Sequence, residues 1–158
     1  RIVSVGAFEH FGKKFYKTFF KKIHNIMTDD GICLLHTIGS VDPPGPMQPF
    51  IQKRIFPGGI IPSLSDLVKP IEKTGLIIAD CETLIHHYDK TLKAWLNRFL
   101  KNKEKAKFLY NKEFVRMWEF YLASCSAAFK FRDLVVYQLQ LVKSFTAPPS
   151  NRRNYIYQ

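Results

Sequence analysis

Ile2-Val3-Ser4-Val5-Gly6-Ala7-Phe8-Glu9-His10-Phe11-Gly12 stands at the start of the chain, and its reading decides the layer architecture. Ile2 to Val5 is short and apolar and breaks at Gly6, which fits a strand buried on both faces, as in a parallel sheet. Glu9 then falls at the strand end, where open sheets place their functional loops. Gly12 precedes a helical pattern: Phe15, Phe19, Ile23 and Met27 recur near helical spacing, while Lys13, Lys17 and Lys21 line another face.

The alternation continues downstream. Asp29-Asp30-Gly31 is a turn signal, Ile32 to Ile38 reads as a second strand, and Gly39-Ser40 closes it. Val41 to Gln48, with three prolines and a glycine, is a loop, and Ile55 to Pro62 is an apolar segment held between breakers. Ser63 fits a helix N-cap with Asp66 in the first turn, Leu64, Leu67 and Ile71 form a buried stripe, and Gly75 marks the stop. A third strand covers Leu76 to Asp80. A long helix spans Tyr88 to Tyr110, with Leu92, Trp95, Leu96, Phe99 and Leu100 inward and a lysine-rich end that complements the macrodipole. Another helix runs from about Lys112 to Phe131, and Leu134 to Val142 is the last strand. The expected fold is an α/β layered sheet, with the two long helices as a lid or insertion on one side. Residues 1–145 form one unit, and 146–158 read as a flexible tail.

Composition narrows the function classes. The 158 residues are 46% apolar and 15% aromatic, which argues against disorder, and no apolar run reaches the roughly 18 to 20 residues of a membrane span. Cys33, Cys81 and Cys125 are too few and too scattered for a disulfide framework and read as reduced thiols of a cytosolic protein. Glu9, His10 and His36 match no metal spacing, so no metal is expected. The formal charge of +11 calls for a partner with a negative surface. A nucleic-acid module would interleave aromatics with Lys and Arg on an exposed face; here the aromatics follow the core period of helices, and no nucleic acid is expected. There is no GxGxG or GxGxxG turn, and Gly58-Gly59 lacks the phosphate-loop lysine, which taken alone denies a cofactor site. Because Arg1 leads straight into a strand, the chain reads as processed, trimmed or a fragment, with no targeting signal, and this opens a second reading in which a cofactor half precedes residue 1.

Five motifs in one order carry a resemblance. They are Val5-Gly6-Ala7-Phe8-Glu9-His10-Phe11-Gly12, Leu34-Leu35-His36-Thr37-Ile38, Ile55-Phe56-Pro57-Gly58-Gly59 with Pro62-Ser63, His87-Tyr88 with Lys90-Thr91-Leu92, and Tyr121-Leu122 with Cys125 and Phe129. Over nearly the whole chain up to about Lys143, the sequence resembles the cyclopropane-fatty-acyl-phospholipid synthases and the related mycolic acid methyltransferases. The resemblance implies the class I S-adenosylmethionine-dependent methyltransferase (Rossmann-like) fold, a seven-stranded sheet whose last strand is antiparallel. This chain then supplies the fourth strand onward, and residues 1–145 are the C-terminal portion of the catalytic domain. Without the Gly-rich turn, the chain alone is expected to be inactive and not to bind S-adenosylmethionine.

The implied reaction moves a methyl group from S-adenosylmethionine onto a cis double bond of a phospholipid acyl chain. A carbocation forms, and loss of a proton closes a cyclopropane ring. The cofactor carries the reactive chemistry, while the protein aligns and keeps water out. The resemblance places a bicarbonate ion, the expected proton acceptor, between Glu9, His36 and Tyr88. It also puts the backbone carbonyl of Val5 near that ion, and Val5 and Gly6 among the cofactor-binding residues. Tyr and His can donate to the ion's oxygens, and the Glu9 carboxylate can accept its OH. Each has a plainer reading: a strand-end carboxylate, a core histidine and a helix-start aromatic. Cys125 matches the family's active-site cysteine. It shares a helical face with Phe114, Trp118, Tyr121, Leu122 and Phe129, so it reads as a site-lining residue, and methyl transfer to an alkene needs no covalent step. Phe8, Phe11, Phe56, Trp118 and Phe129 are candidate acyl-tunnel residues, equally readable as core.

The expected partners are unsaturated phospholipids at an anionic membrane surface. Lysines 13, 14, 17, 21, 22, 101, 103, 105 and 107 would hold a cytoplasmic, peripheral protein there, at about 1 kcal/mol each; they read equally as solvated helix faces. A homodimer is a further candidate assembly. The alternative activity is a related C-methyltransferase that acts on a lipid or small molecule without ring closure.

Overall fold

The computed structural model describes residues 1–147. Strands β1 (Ile2–Val5), β2 (Ile32–Ser40), β3 (Ile77–Leu84) and β4 (Leu134–Val142) form one sheet in the order β1-β2-β4-β3. β1 and β2 are parallel, and β4 runs antiparallel to both its neighbours. The last strand is antiparallel, as the resemblance implies, and it is inserted between the two before it. The helices are α1 (Tyr16–Ile26), α2 (Pro49–Arg54), α3 (Leu64–Glu72), α4 (His87–Lys101), α5 (Lys103–Leu109) and α6 (Lys112–Phe131), with short 3-10 turns at Phe8–His10 and Lys13–Phe15.

Side-chain alternation divides the sheet between two cores. On one face Cys33 and Leu35 of β2 and Val135, Tyr137, Leu139 and Leu141 of β4 pack against Tyr16, Phe20 and Ile23 of α1 and Leu67 and Ile71 of α3. On the other face Ile38, Leu134 and Val136 meet Leu92 of α4 and Tyr121, Leu122 and Phe129 of α6. The helices between β3 and β4 thus make a layer over this second face.

Ser63 caps α3 as its sequence signals: the Asp66 carboxylate accepts from the Ser63 backbone N–H at 3.1 Å. Gly75 ends the element with φ of +76°, a left-handed geometry that suits glycine.

Four local readings need correction. β1 is not buried on both faces: Ile2 packs inward while Val3 and Val5 are exposed, because no described helix covers the second face beside β1. The inward stripe of α1 is Tyr16, Phe20 and Ile23, with Phe15 half exposed, because the turn at Lys13–Phe15 delays the helix start. The expected single helix from Tyr88 to Tyr110 breaks at Asn102, whose side-chain amide donates to the Arg98 carbonyl at 2.8 Å. Trp95 and Leu100 are also exposed rather than inward, by 39% and 45%, as is Leu64 on α3, by 37%. Helix α2 lies where only loop was expected; Gln48 accepts from the Ile51 N–H at 3.1 Å, with Pro49 in the first helical turn. Of the expected tail, residues 148–158 lie outside the described residues.

Candidate functional site

β1 stops at Val5, which sits opposite His36, and the Gly6 N–H reaches the His36 carbonyl at 3.1 Å. β2 continues past that point, so its next inward-facing N–H, that of Ile38, has lost its strand partner. The Glu9 carboxylate replaces it: Oε1 accepts from the Ile38 N–H at 2.6 Å. The backbone of Glu9 is itself fixed, its carbonyl accepting from the Ile60 N–H at 2.8 Å. Glu9 is only 6% exposed, and its Oε2 is buried with no hydrogen-bond partner. A buried carboxylate oxygen without a donor is costly, and such a group calls for a ligand that supplies one.

Tyr88 lies in the first turn of α4, its ring against Phe129 at 5.0 Å and Trp95 at 6.0 Å. Desolvation raises its phenol pKa first, and the nearby Glu9 carboxylate and Cys125 thiol raise it further. The phenol is therefore a neutral hydrogen-bond donor at ordinary pH. Burial likewise pushes the Cys125 thiol up to about 11 and the Tyr121 phenol up to about 12, the latter also through Cys125 and Tyr88. A thiol held this far from ionisation is a poor nucleophile.

Ile38, Phe56, Tyr88, Tyr121, Cys125 and Phe129 line a cavity of about 690 Å³, joined on one side by the loop from Asp42 to Gln48. Of the residues singled out in the sequence, Tyr88 and Cys125 line it directly. Glu9 is tied to its wall at Ile38 and is felt electrostatically by Tyr88. His36 shares the strand face of Ile38 but is engaged elsewhere, its Nδ1 lying 3.2 Å from Oε1 of Gln138. Gln138 in turn donates from Nε2 to Glu82 at 3.2 Å. Among the tunnel candidates, Phe56 and Phe129 line the cavity, whereas Phe8 is fully buried in the first core and Phe11 packs against it. Trp118 packs against the second core.

Sequence reasoning missed Asp89. It is buried next to Tyr88, receives hydrogen bonds from Ser126 Oγ and, at 2.7 Å, from Lys93 Nζ, and ties α4 to α6. His86, three residues upstream, is the one described non-glycine residue with positive φ, at 63°. Among the described residues, no cluster of three His, Cys, Asp or Glu is arranged to hold a metal ion.

Residues 1–139 match the family description "Mycolic acid cyclopropane synthetase". The chain belongs to this family. It is 40% identical over 139 residues to the cyclopropane-fatty-acyl-phospholipid synthase of Escherichia coli, covering 88% of this chain and 36% of that protein. It is 35% identical over 156 residues to cyclopropane mycolic acid synthase 1 of Mycobacterium tuberculosis, covering 90% and 54% respectively. The structure superposes on the cyclopropane synthase MmaA2 of the same organism with a TM-score of 0.81 at 32% identity, over 89% of this chain and 54% of that one. It does so equally, at 33% identity, on the mycolic acid cyclopropane synthase CmaA1 complexed with SAH and CTAB. The chain spans between about a third and about half the length of these relatives. This family member therefore has a methyltransferase fold, with β1 to β4 in one mixed sheet whose strand β4 is antiparallel.

Proposed function

We propose that the protein contributes the lipid-modifying half of an S-adenosylmethionine-dependent cyclopropane synthase, which converts the cis double bond of a phospholipid acyl chain into a cyclopropane ring. Residues 1–145 would be the C-terminal portion of the catalytic domain, with the Gly-rich cofactor turn supplied by sequence outside these residues. The observation that carries this reading is the buried, donorless Oε2 of Glu9, whose carboxylate is tied to the cavity wall at Ile38 and is felt by the Tyr88 phenol in that wall.

The fit to bicarbonate rests on that pair. Glu9 offers an acceptor that only an O–H or N–H can satisfy, and Tyr88 offers a neutral O–H to an anionic oxygen. When bound, S-adenosylmethionine would supply the methyl group and bicarbonate would supply a base for the proton lost on ring closure. Glu9 would orient the ion through its OH and raise its basicity by like-charge proximity. Tyr88 would fix the opposite oxygen. His36 would stand at the same strand end, with Val5 and Gly6 beside it carrying the cofactor-facing backbone. Phe56, Phe129 and Tyr121 would keep water from the acyl chain and present ring faces to developing positive charge. Cys125 would line the cavity as a thiol. The protein would work peripherally at the cytoplasmic face of an anionic membrane.

Glu9→Gln is a clean test, because glutamine still accepts from the Ile38 N–H but replaces the orphan acceptor with a donor. In the complete enzyme, Glu9→Gln and Tyr88→Phe should each lower cyclopropane formation by about a hundredfold or more while S-adenosylmethionine affinity stays within about twofold. Full turnover by both variants with bicarbonate present would overturn the assignment. Methyl-branched chains as the sole product of the unaltered enzyme would favour methylation without ring closure.

A further inference from the structure

We propose that the corner between α5 and α6 is the element that enters an anionic phospholipid bilayer and that the aromatic stripe of α6 leads from it to the cavity, an inference that rests on the proposed lipid substrate. Phe108, Leu109 and Tyr110 are three consecutive large side chains exposed by 88%, 62% and 65%. A run of this kind has no place at a water-facing helix end unless something apolar covers it.

Its surroundings say what covers it. Between Arg98 and Arg116 there are seven basic residues and two acidic ones. Lys103 is paired with Glu119 at 2.7 Å and Lys107 with Glu104 at 3.6 Å, while Lys101, Lys105 and Lys112 make no ion pair among the described residues. An apolar tip ringed by uncommitted ammonium groups matches the interface of an anionic bilayer, where the tip enters the acyl boundary and the lysines remain among the phosphates. The corner is also ready for a medium poor in water. Asn102 closes α4 onto the Arg98 carbonyl, and Asn111 caps α6 by accepting from the Phe114 N–H at 2.7 Å.

A continuous set of rings connects the corner to the cavity. Tyr110 stacks on Phe114 at 4.3 Å between centroids, Phe114 on Trp118 at 5.7 Å, and Trp118 meets Tyr121 at 5.1 Å. Phe114, Trp118 and Tyr121 follow one face of α6, with exposed Tyr110 just ahead of the helix at one end and Tyr121 in the cavity wall at the other. The second lysine cluster, on α1, lacks this combination. Lys13 is held by Asp66 at 2.8 Å, Lys14 lies over the Phe15 ring, and Phe15 and Ile26 stand apart at opposite ends of the helix.

The test is sedimentation of the purified chain with vesicles of equal parts phosphatidylglycerol and phosphatidylcholine, and with phosphatidylcholine alone. Binding is expected to the mixed vesicles and to fall at least about tenfold on pure phosphatidylcholine. Phe108→Ser with Leu109→Ser, and separately Lys101→Glu with Lys105→Glu, should each weaken binding about tenfold. Lys17→Glu with Lys21→Glu, an equal charge change, should leave it within about twofold. All these side chains are exposed, and circular dichroism checks that each variant is folded. The proposal is overturned if the chain ignores the mixed vesicles or if the α1 pair matters as much as the α5 pair. It is also overturned if the lysine pair matters and the serine pair does not, the outcome for adsorption by charge alone with no entry of the apolar tip. Since no cofactor or turnover enters the measurement, vesicle binding through the corner together with a complete enzyme that leaves acyl chains unmodified would uphold this inference and overturn the lipid reaction.

Discussion

The hydroxyl of Ser126 in α6 donates to the buried carboxylate of Asp89, the residue that follows Tyr88 in α4. With Lys93 on the other oxygen, this contact fixes the first turn of α4 against α6 and thereby the direction of the Tyr88 ring. The Lys93 and Ser126 hydrogen bonds hold the Asp89 carboxyl below its ordinary 3.8. A depressed carboxyl stabilises the fold above the unfolded-state value and loses that contribution as pH falls through the folded-state value. Asp89→Asn should therefore lower the melting temperature by a few degrees near pH 7. The gap to the unaltered chain should close as the pH drops below about 4, as followed by thermal denaturation across pH.

Gly39 offers a steric test of the sheet centre. A Cβ there would lie 2.3 Å from the Tyr137 ring, whose hydroxyl donates to the Ser40 carbonyl at 2.9 Å. Gly39→Ala must displace that ring and should cost about 1–3 kcal/mol in urea unfolding. Tyr137→Phe removes only the hydrogen bond and should cost about 0.5–1.5 kcal/mol. Equal stability of Gly39→Ala and the unaltered chain would show that the strand relaxes freely at this point.

Cysteine reactivity should follow burial. Cys33 is buried and, like Cys125, pushed up to about 11, whereas Cys81 is exposed on β3. Iodoacetamide at pH 7.5 should label Cys81 well before the other two, as read by peptide mass spectrometry. In the complete enzyme, Cys125→Ala should retain turnover within about tenfold, since the thiol only fills space; a loss as large as that of Glu9→Gln would give it a chemical part.

Calorimetry addresses the cofactor. No GxGxxG turn occurs in the 158 residues, so the chain alone should give no binding heat with S-adenosylmethionine at micromolar concentrations. Micromolar affinity would mean that the Val5-Gly6 edge and its neighbours suffice to hold the nucleoside.

What could be read from the sequence was local. The Ser63 cap, the Gly75 stop, α6 and the strands at Ile32 and Leu134 each carry their signal within a few residues, and all appear. Where helix phase depends on a turn outside the window, as at Phe15 and Tyr16, the expected stripe takes in Phe15, which is half exposed, while Ile23 and Met27 are buried as read. The break at Asn102 was invisible because Lys101 to Lys107 is equally compatible with one helix or two. In the site, residue types were legible through their motifs, but contacts were not. The Glu9 bond to Ile38 exists because β1 ends two positions short of it, and the His36 partner, Gln138, lies 102 residues away.

β2 is read from both sides, with Cys33 and Leu35 in one core and His36 and Ile38 turned to the other. Because its period is two, gaining or losing a single codon between residues 32 and 38 would exchange greasy and reactive faces at a stroke, whereas the loop from 41 to 48 has no such parity. Length variation among natural and engineered descendants of this protein should accordingly accumulate in that loop and spare the strand.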